Sequence, residues 1–78
     1  MFGKKQGLRE HPMRRKARTR MERLPEAEIL NWIDVAGSGV AQALDEYRRK
    51  RDAGALIDAE NGVEALAGAV AALVARQY

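Results

Sequence analysis

The stretch Ile33–Tyr47, "IDVAGSGVAQALDEY", decides the fold, because Gly37-Ser38-Gly39 reads either as a phosphate-binding turn or as the interior of one long helix. A dinucleotide fingerprint needs a strand, then G-x-G-x-x-G or A, then a helix whose N-terminal N–H groups meet the pyrophosphate. Here the third small position is Gln42, no P-loop lysine is present, and the rest of the chain is too short to build a parallel sheet around the turn. The helical alternative accounts for the whole neighbourhood. Ile29, Ile33, Ala36, Val40, Leu44 and Tyr47 recur at spacings of three and four, while Asn31, Asp34, Ser38, Gln42, Asp45 and Arg49 mark the opposite side. The apolar phase passes through the glycines without slipping. Gly37, with Ala36 and Ala41, then reads as a place where missing bulk lets another helix approach. Gly39 lies off that stripe, and since each glycine costs about 1 kcal/mol relative to alanine in a helix, a kink is open there.

Working outward, Pro25 restricts Leu24 and suits the first position of this helix, with Glu26 and Glu28 near the positive end of its dipole. At the other end Asp45–Arg49 and Glu46–Lys50 are acid-to-base pairs one turn apart, and "RRKR" places cations at the negative end. Gly54 reads as the stop signal. "ALIDA" becomes a link, with Leu56 and Ile57 tucked under the hairpin, and a second helix starts near Asn61. Asn61 and Glu64 have capping-box spacing, and Asp58 is an equally good cap one turn earlier. Val63, Leu66, Ala67, Val70, Leu73 and Val74 give the second apolar stripe. Behind it Ala65, Gly68, Ala69, Ala72 and Ala75 stand where a solvated face would carry Lys or Glu, so more than one side of this helix is expected to be covered.

The 78 residues allow one small domain, a size at which many chains need help to complete a core, and with no cysteine that help is not a disulfide or a thiolate metal site. The expectation is an all-α fold: an antiparallel helical hairpin over residues 25–78, with helices near 25–52 and 61–77, self-associating into a four-helix assembly. Ile33, Val40, Leu44, Leu66, Val70 and Leu73 would form that interface, with Gly37 and Gly68 at close approaches and Trp32 as core, rim or anchor.

The net charge of +3 hides an asymmetry: residues 1–25 hold nine Lys or Arg against Glu10 and Glu22, while residues 26–78 hold five basic against nine acidic groups. Residues 1–24 therefore read as a basic N-terminal arm, polar and disordered up to about Pro12. Over Met13–Leu24, "MRRKARTRMERL", a strand with Ala17, Thr19 and Met21 on one side competes with a weak helix whose stripe is Met13, Ala17, Met21 and Leu24. The helix is preferred because Arg, Lys, Met and Ala are good helix formers. The arm lacks an apolar leader segment, and the longest nearly uncharged run, Ala65–Ala75, falls short of the roughly 20 residues that span a bilayer, so no transmembrane segment and a soluble, cytoplasmic protein are expected.

Little supports catalysis. His11 is the single histidine and lies in the arm, no base is placed by helical spacing near Ser38 or Thr19, and Glu60 with Glu64 is explained by capping and solubility. No catalytic residue, metal or cofactor is assigned. Arg14, Arg15, Lys16, Arg18, Arg20 and Arg23 are the candidate nucleic-acid-binding residues, since clustered guanidinium and ammonium groups displace counterions from phosphates. The function expected is a non-enzymatic adaptor that contacts nucleic acid or a nucleoprotein particle through the arm and oligomerises through the hairpin. The alternatives are a protein-interaction module docking its hairpin on a larger partner, and an arm that grips an acidic protein surface.

"RTRMERLPEAEILNWIDVAGSG" followed by "ALDEYRR" also resembles the ribbon-helix-helix DNA-binding proteins, in which a short basic strand precedes a Leu-Pro, a helix, a glycine turn and a second helix. That resemblance implies a strand whose Arg18, Arg20 and Glu22 face a major groove. Against it, the second helix would reach "ALDEY" about one turn too early, and the unbroken apolar phase leaves no turn at Gly-Ser-Gly.

Overall fold

Helix α1, Pro12–Met21, begins where His11 supplies an N-cap: its ring Nδ1 accepts the Met13 N–H at 3.1 Å, and Pro12 occupies the first turn, where a missing N–H costs nothing. Residues 10–77 are described by the computed structural model, and among them there are three helices and no strand. The opening residues of the arm lie outside the described residues. α1 ends on Glu22, and the turn closes with the Leu24 N–H donating to the Met21 carbonyl at 3.0 Å.

Helix α2, Glu26–Lys50, follows from an extended Pro25, which is its N-cap and not its first residue. It runs unbroken for 25 residues through Gly37-Ser38-Gly39, so the phase of its apolar stripe decided correctly between turn and helix. The ribbon-helix-helix resemblance fails on both of its requirements: Arg18 and Arg20 lie in α1, Glu22 caps it, and no turn interrupts α2.

Helix α3, Ala53–Gln77, starts eight residues before the expected position near Asn61. The connection is only Arg51 and Asp52. Arg51 itself takes the left-handed conformation expected of a glycine, at φ 56°, and its guanidinium stacks 5.3 Å from the Tyr47 ring centroid, a contact that offsets part of that strain. Asp52 then caps α3, its Oδ1 accepting the Gly54 N–H at 2.9 Å. Gly54 is therefore in the first turn of a helix and stops nothing. "ALIDA" is helical, Asn61 and Glu64 sit mid-helix, and Leu56 and Ile57 are exposed and do not tuck under.

Both α1 and α2 pack on α3, and the buried residues of α3 show why this helix can serve two neighbours. They are Ala55 and Ala59, from the stretch expected to be a link, and Gly68, Ala69 and Ala72 from the small-residue back; of the rest of that back Ala65 is half-buried and Ala75 exposed, and Val63, Val70 and Val74 are exposed as well. Small side chains let helix axes approach and dispersion contacts accumulate across backbone. At Gly62 a β-carbon would come within 2.7 Å of Val40 Cγ2; at Gly68 it would strike the Arg14 carbonyl oxygen and lie 3.0 Å from the Ala17 β-carbon. At Gly37 it would meet nothing within 4 Å, so the close approaches are made at Gly62 against α2 and Gly68 against α1.

The core gathers where the end of α1 meets the first turns of α2 and the second half of α3. Ile29 (0% exposed) and Met21 (1%) are its largest members, joined by Ala69 and Ala72 and flanked by Leu24, Ile33 and Leu73. Charge on α1 is used to hold it there. Arg14 pairs with Glu64 of α3 at 2.9 Å, and Arg76 near the end of α3 donates to the carbonyls of Met21, Glu22 and Leu24 around the α1–α2 turn.

Candidate nucleic-acid interface

The six basic residues expected to contact phosphates divide in two when α1 docks. Arg14 is bound to Glu64. Arg18 is gripped by Glu10 in a two-pronged pair, Nη2–Oε1 2.8 Å and Nε–Oε2 3.0 Å, with Glu22 at 3.3 Å on its third nitrogen. That geometry holds the Glu10 carboxyl below its ordinary range, chiefly through the hydrogen bond from Arg18, and raises the Arg18 guanidinium in turn. These two arginines are occupied with holding the fold.

Arg15, Lys16, Arg20 and Arg23 behave differently. None of them has a carboxylate partner among the described residues, all four are exposed, and with Pro12 and Thr19 they line one shallow concavity on the outer side of α1. Helical spacing puts Arg15, Lys16, Thr19 and Arg20 on one face of α1, and Arg23 joins them from the turn that follows. The guanidinium of Arg20 lies 5.9 Å from the centroid of the Trp32 ring. Trp32 stands on α2, remains 41% exposed and shares a second, smaller concavity with Met13, Lys16, Ala17, Arg20, Met21 and Ala65.

The expected interface residues also separate. Ile33 and Leu73 pack on the core, Val40 meets Gly62, and Gly68 lies under α1. Leu44 and Val70 stay exposed, and Leu66 and Val70 line an open apolar groove with Val63, Ala67, Ala71, Val74 and Ala75. At 100° per residue, the side of α2 turned away from α1 carries Leu30, Gly37 and Leu44, and the matching side of α3 carries Val63, Ala67, Val70 and Val74. The two stripes adjoin across the antiparallel contact of α2 with α3. Leu30, Leu44, Val63, Val70 and Val74 are all exposed, so no element among the described residues covers this broad side.

Sequence reasoning missed Arg76 and the pairing role of Glu64. A lone arginine near the end of a helix carries no motif, and Glu64 was explained by capping a helix that in fact starts at Ala53. No protein-family model matches the chain, and neither curated proteins nor solved structures provide a match. No helix among the described residues is long and apolar enough to cross a membrane.

Proposed function

We propose that this chain is a non-enzymatic nucleic-acid-associated adaptor, which binds phosphates through the outer face of α1 and self-associates through the broad apolar side of α2 and α3. The observation that supports phosphate binding is a division of labour: Arg14 and Arg18 are paired internally, while Arg15, Lys16 and Arg20 of α1 and Arg23 of the turn after it line one concavity without a carboxylate partner among the described residues. Self-association is supported by the exposed, uncharged stripes through Leu44 and Val70, which no element among the described residues covers. Because α1 lies on the opposite side of α3 from that surface, a face-to-face pair would point its two basic faces apart. Such a particle links two nucleic-acid segments and does not straddle one.

A salt titration tests the phosphate-binding part. Affinity of the full chain for nucleic acid should fall steeply with salt, with a slope on logarithmic axes of about −3 for four contacted phosphates. Reversing Arg15 and Arg23 to Glu should abolish binding and leave helicity intact. Charge reversal is preferable to removing residues 1–23, which would also uncover Gly68, Ala69 and Ala72. Binding that resists salt and survives both reversals would favour the second reading, a protein-interaction module docking its apolar side on a larger partner, which the exposed Val63, Val70 and Val74 also support.

A further inference from the structure

We infer that Trp32 is a stacking platform for a base of single-stranded nucleic acid, with Lys16 and Arg20 gripping the flanking phosphates. This rests on the phosphate-binding reading of α1 and adds the form of nucleic acid that the face selects.

Trp32 is the single tryptophan of the chain, and it stands on α2, outside the basic segment. Folding alone brings it to the edge of the basic face: Lys16 and Arg20 line both the cationic concavity and the smaller one that contains the indole. A tryptophan needed only for the core would be covered, as Met21 and Ile29 are, yet this residue stays 41% exposed. The Arg20 guanidinium lies over its face, 5.9 Å from the centroid. Arg20 has no carboxylate among the described residues, so the π-face is its main intramolecular partner. A phosphate offers it a stronger, charge-assisted contact. As Arg20 turns to the backbone of an incoming strand, it clears the indole for the base attached to that backbone.

The geometry separates single strands from duplexes. Bases in a duplex are stacked on one another and offer no free face, whereas a single strand presents a π-face at every nucleotide, and aromatic side chains beside a cationic track capture it without regard to sequence. Four cations on one face and one indole make room for a few nucleotides and one stacked base.

The indole itself reports the result. Full-length protein is titrated at low salt with a short oligothymidylate, a duplex of equal length and inorganic polyphosphate, while the fluorescence of Trp32 is followed. The expected outcome is quenching by the oligothymidylate, with binding of the other two, seen by anisotropy or competition, leaving the indole unquenched. Trp32→Ala should weaken the single strand roughly five-fold or more and leave the duplex unchanged, and Trp32→Tyr should restore most of the loss. If all three polyanions bind equally well and none quenches the indole, stacking is wrong and the phosphate-binding reading stands. If none of them binds, both fail.

Discussion

Gly68 of α3 lies against the main chain of Arg14 of α1, so close that a β-carbon at position 68 would strike the Arg14 carbonyl oxygen and sit 2.9 Å from the Arg18 nitrogen. The obstructing atoms are backbone, which cannot rotate away as a side chain would. The placement of the basic helix on this protein thus depends on a missing methyl group in another helix.

Gly68→Ala should lower stability by about 1–3 kcal/mol, the usual cost of overpacking, because α1 must lift from α3 to make room. Gly39→Ala, in the middle of α2 and off its apolar stripe, should raise stability by up to about 1 kcal/mol through helix propensity. Urea unfolding of the two variants beside the parent checks both signs. Equal effects at the two positions would mean that α1 is not docked as described.

Arg76→Met removes the donor shared by the carbonyls of Met21, Glu22 and Leu24 and keeps the aliphatic stem. A loss of about 1 kcal/mol is expected, since the hydrogen bonds are charge-assisted but partly open to water. The change should be concentrated in the turn. Amide exchange in residues 21–24 should accelerate far more than in the middle of α2.

Acid should loosen the start of α1 before it unfolds the rest. The Glu10 carboxyl is held below its ordinary value near 4.5 by Arg18, so its contribution is complete above that pH and is lost as pH falls through the lowered value in the folded state. An acid titration followed by the amide chemical shifts of Met13, Arg14 and Arg18 should show this step below about pH 4.5. Glu10→Gln should remove the step, while the rest of the acid transition persists.

Val70→Glu and Leu44→Glu place a charge on the broad apolar side without touching the core at Ile29 and Met21. Sedimentation of the parent chain should give a dimer, and each variant a monomer of unchanged helicity. A monomeric parent at high concentration would count against self-association and leave that side to another protein. With long single-stranded nucleic acid, the dimer should cross-link strands that the Val70→Glu variant binds singly.

Much of the secondary structure was legible because it rests on local rules. The apolar period from Ile29 to Tyr47 ran through Gly37-Ser38-Gly39 and correctly implied one helix, and Pro25 marked its start to within a residue. The start of α3 was misread for a reason also local in origin: Gly54 looked like a stop, but the left-handed position fell to Arg51, and Asp52, not Asn61 or Asp58, opened the helix. Glycine is favoured at such a position, yet an arginine with a tyrosine ring to lie on also occupies it.

The amino-acid order alone determined an all-helical chain, the concentration of positive charge before Pro25, and a last helix with too many small residues to be left bare. Only the tertiary structure decided what covers them. Periodicity reports that a face is apolar and says nothing of which neighbour meets it, and here backbone proximity outweighed side-chain size: the alanine and glycine side took α1 and α2, and the larger valines were left outward. The same docking sorted the arginines, since whether a guanidinium finds Glu64, Glu10 or open water depends on three-dimensional distance, which spacing along α1 does not encode.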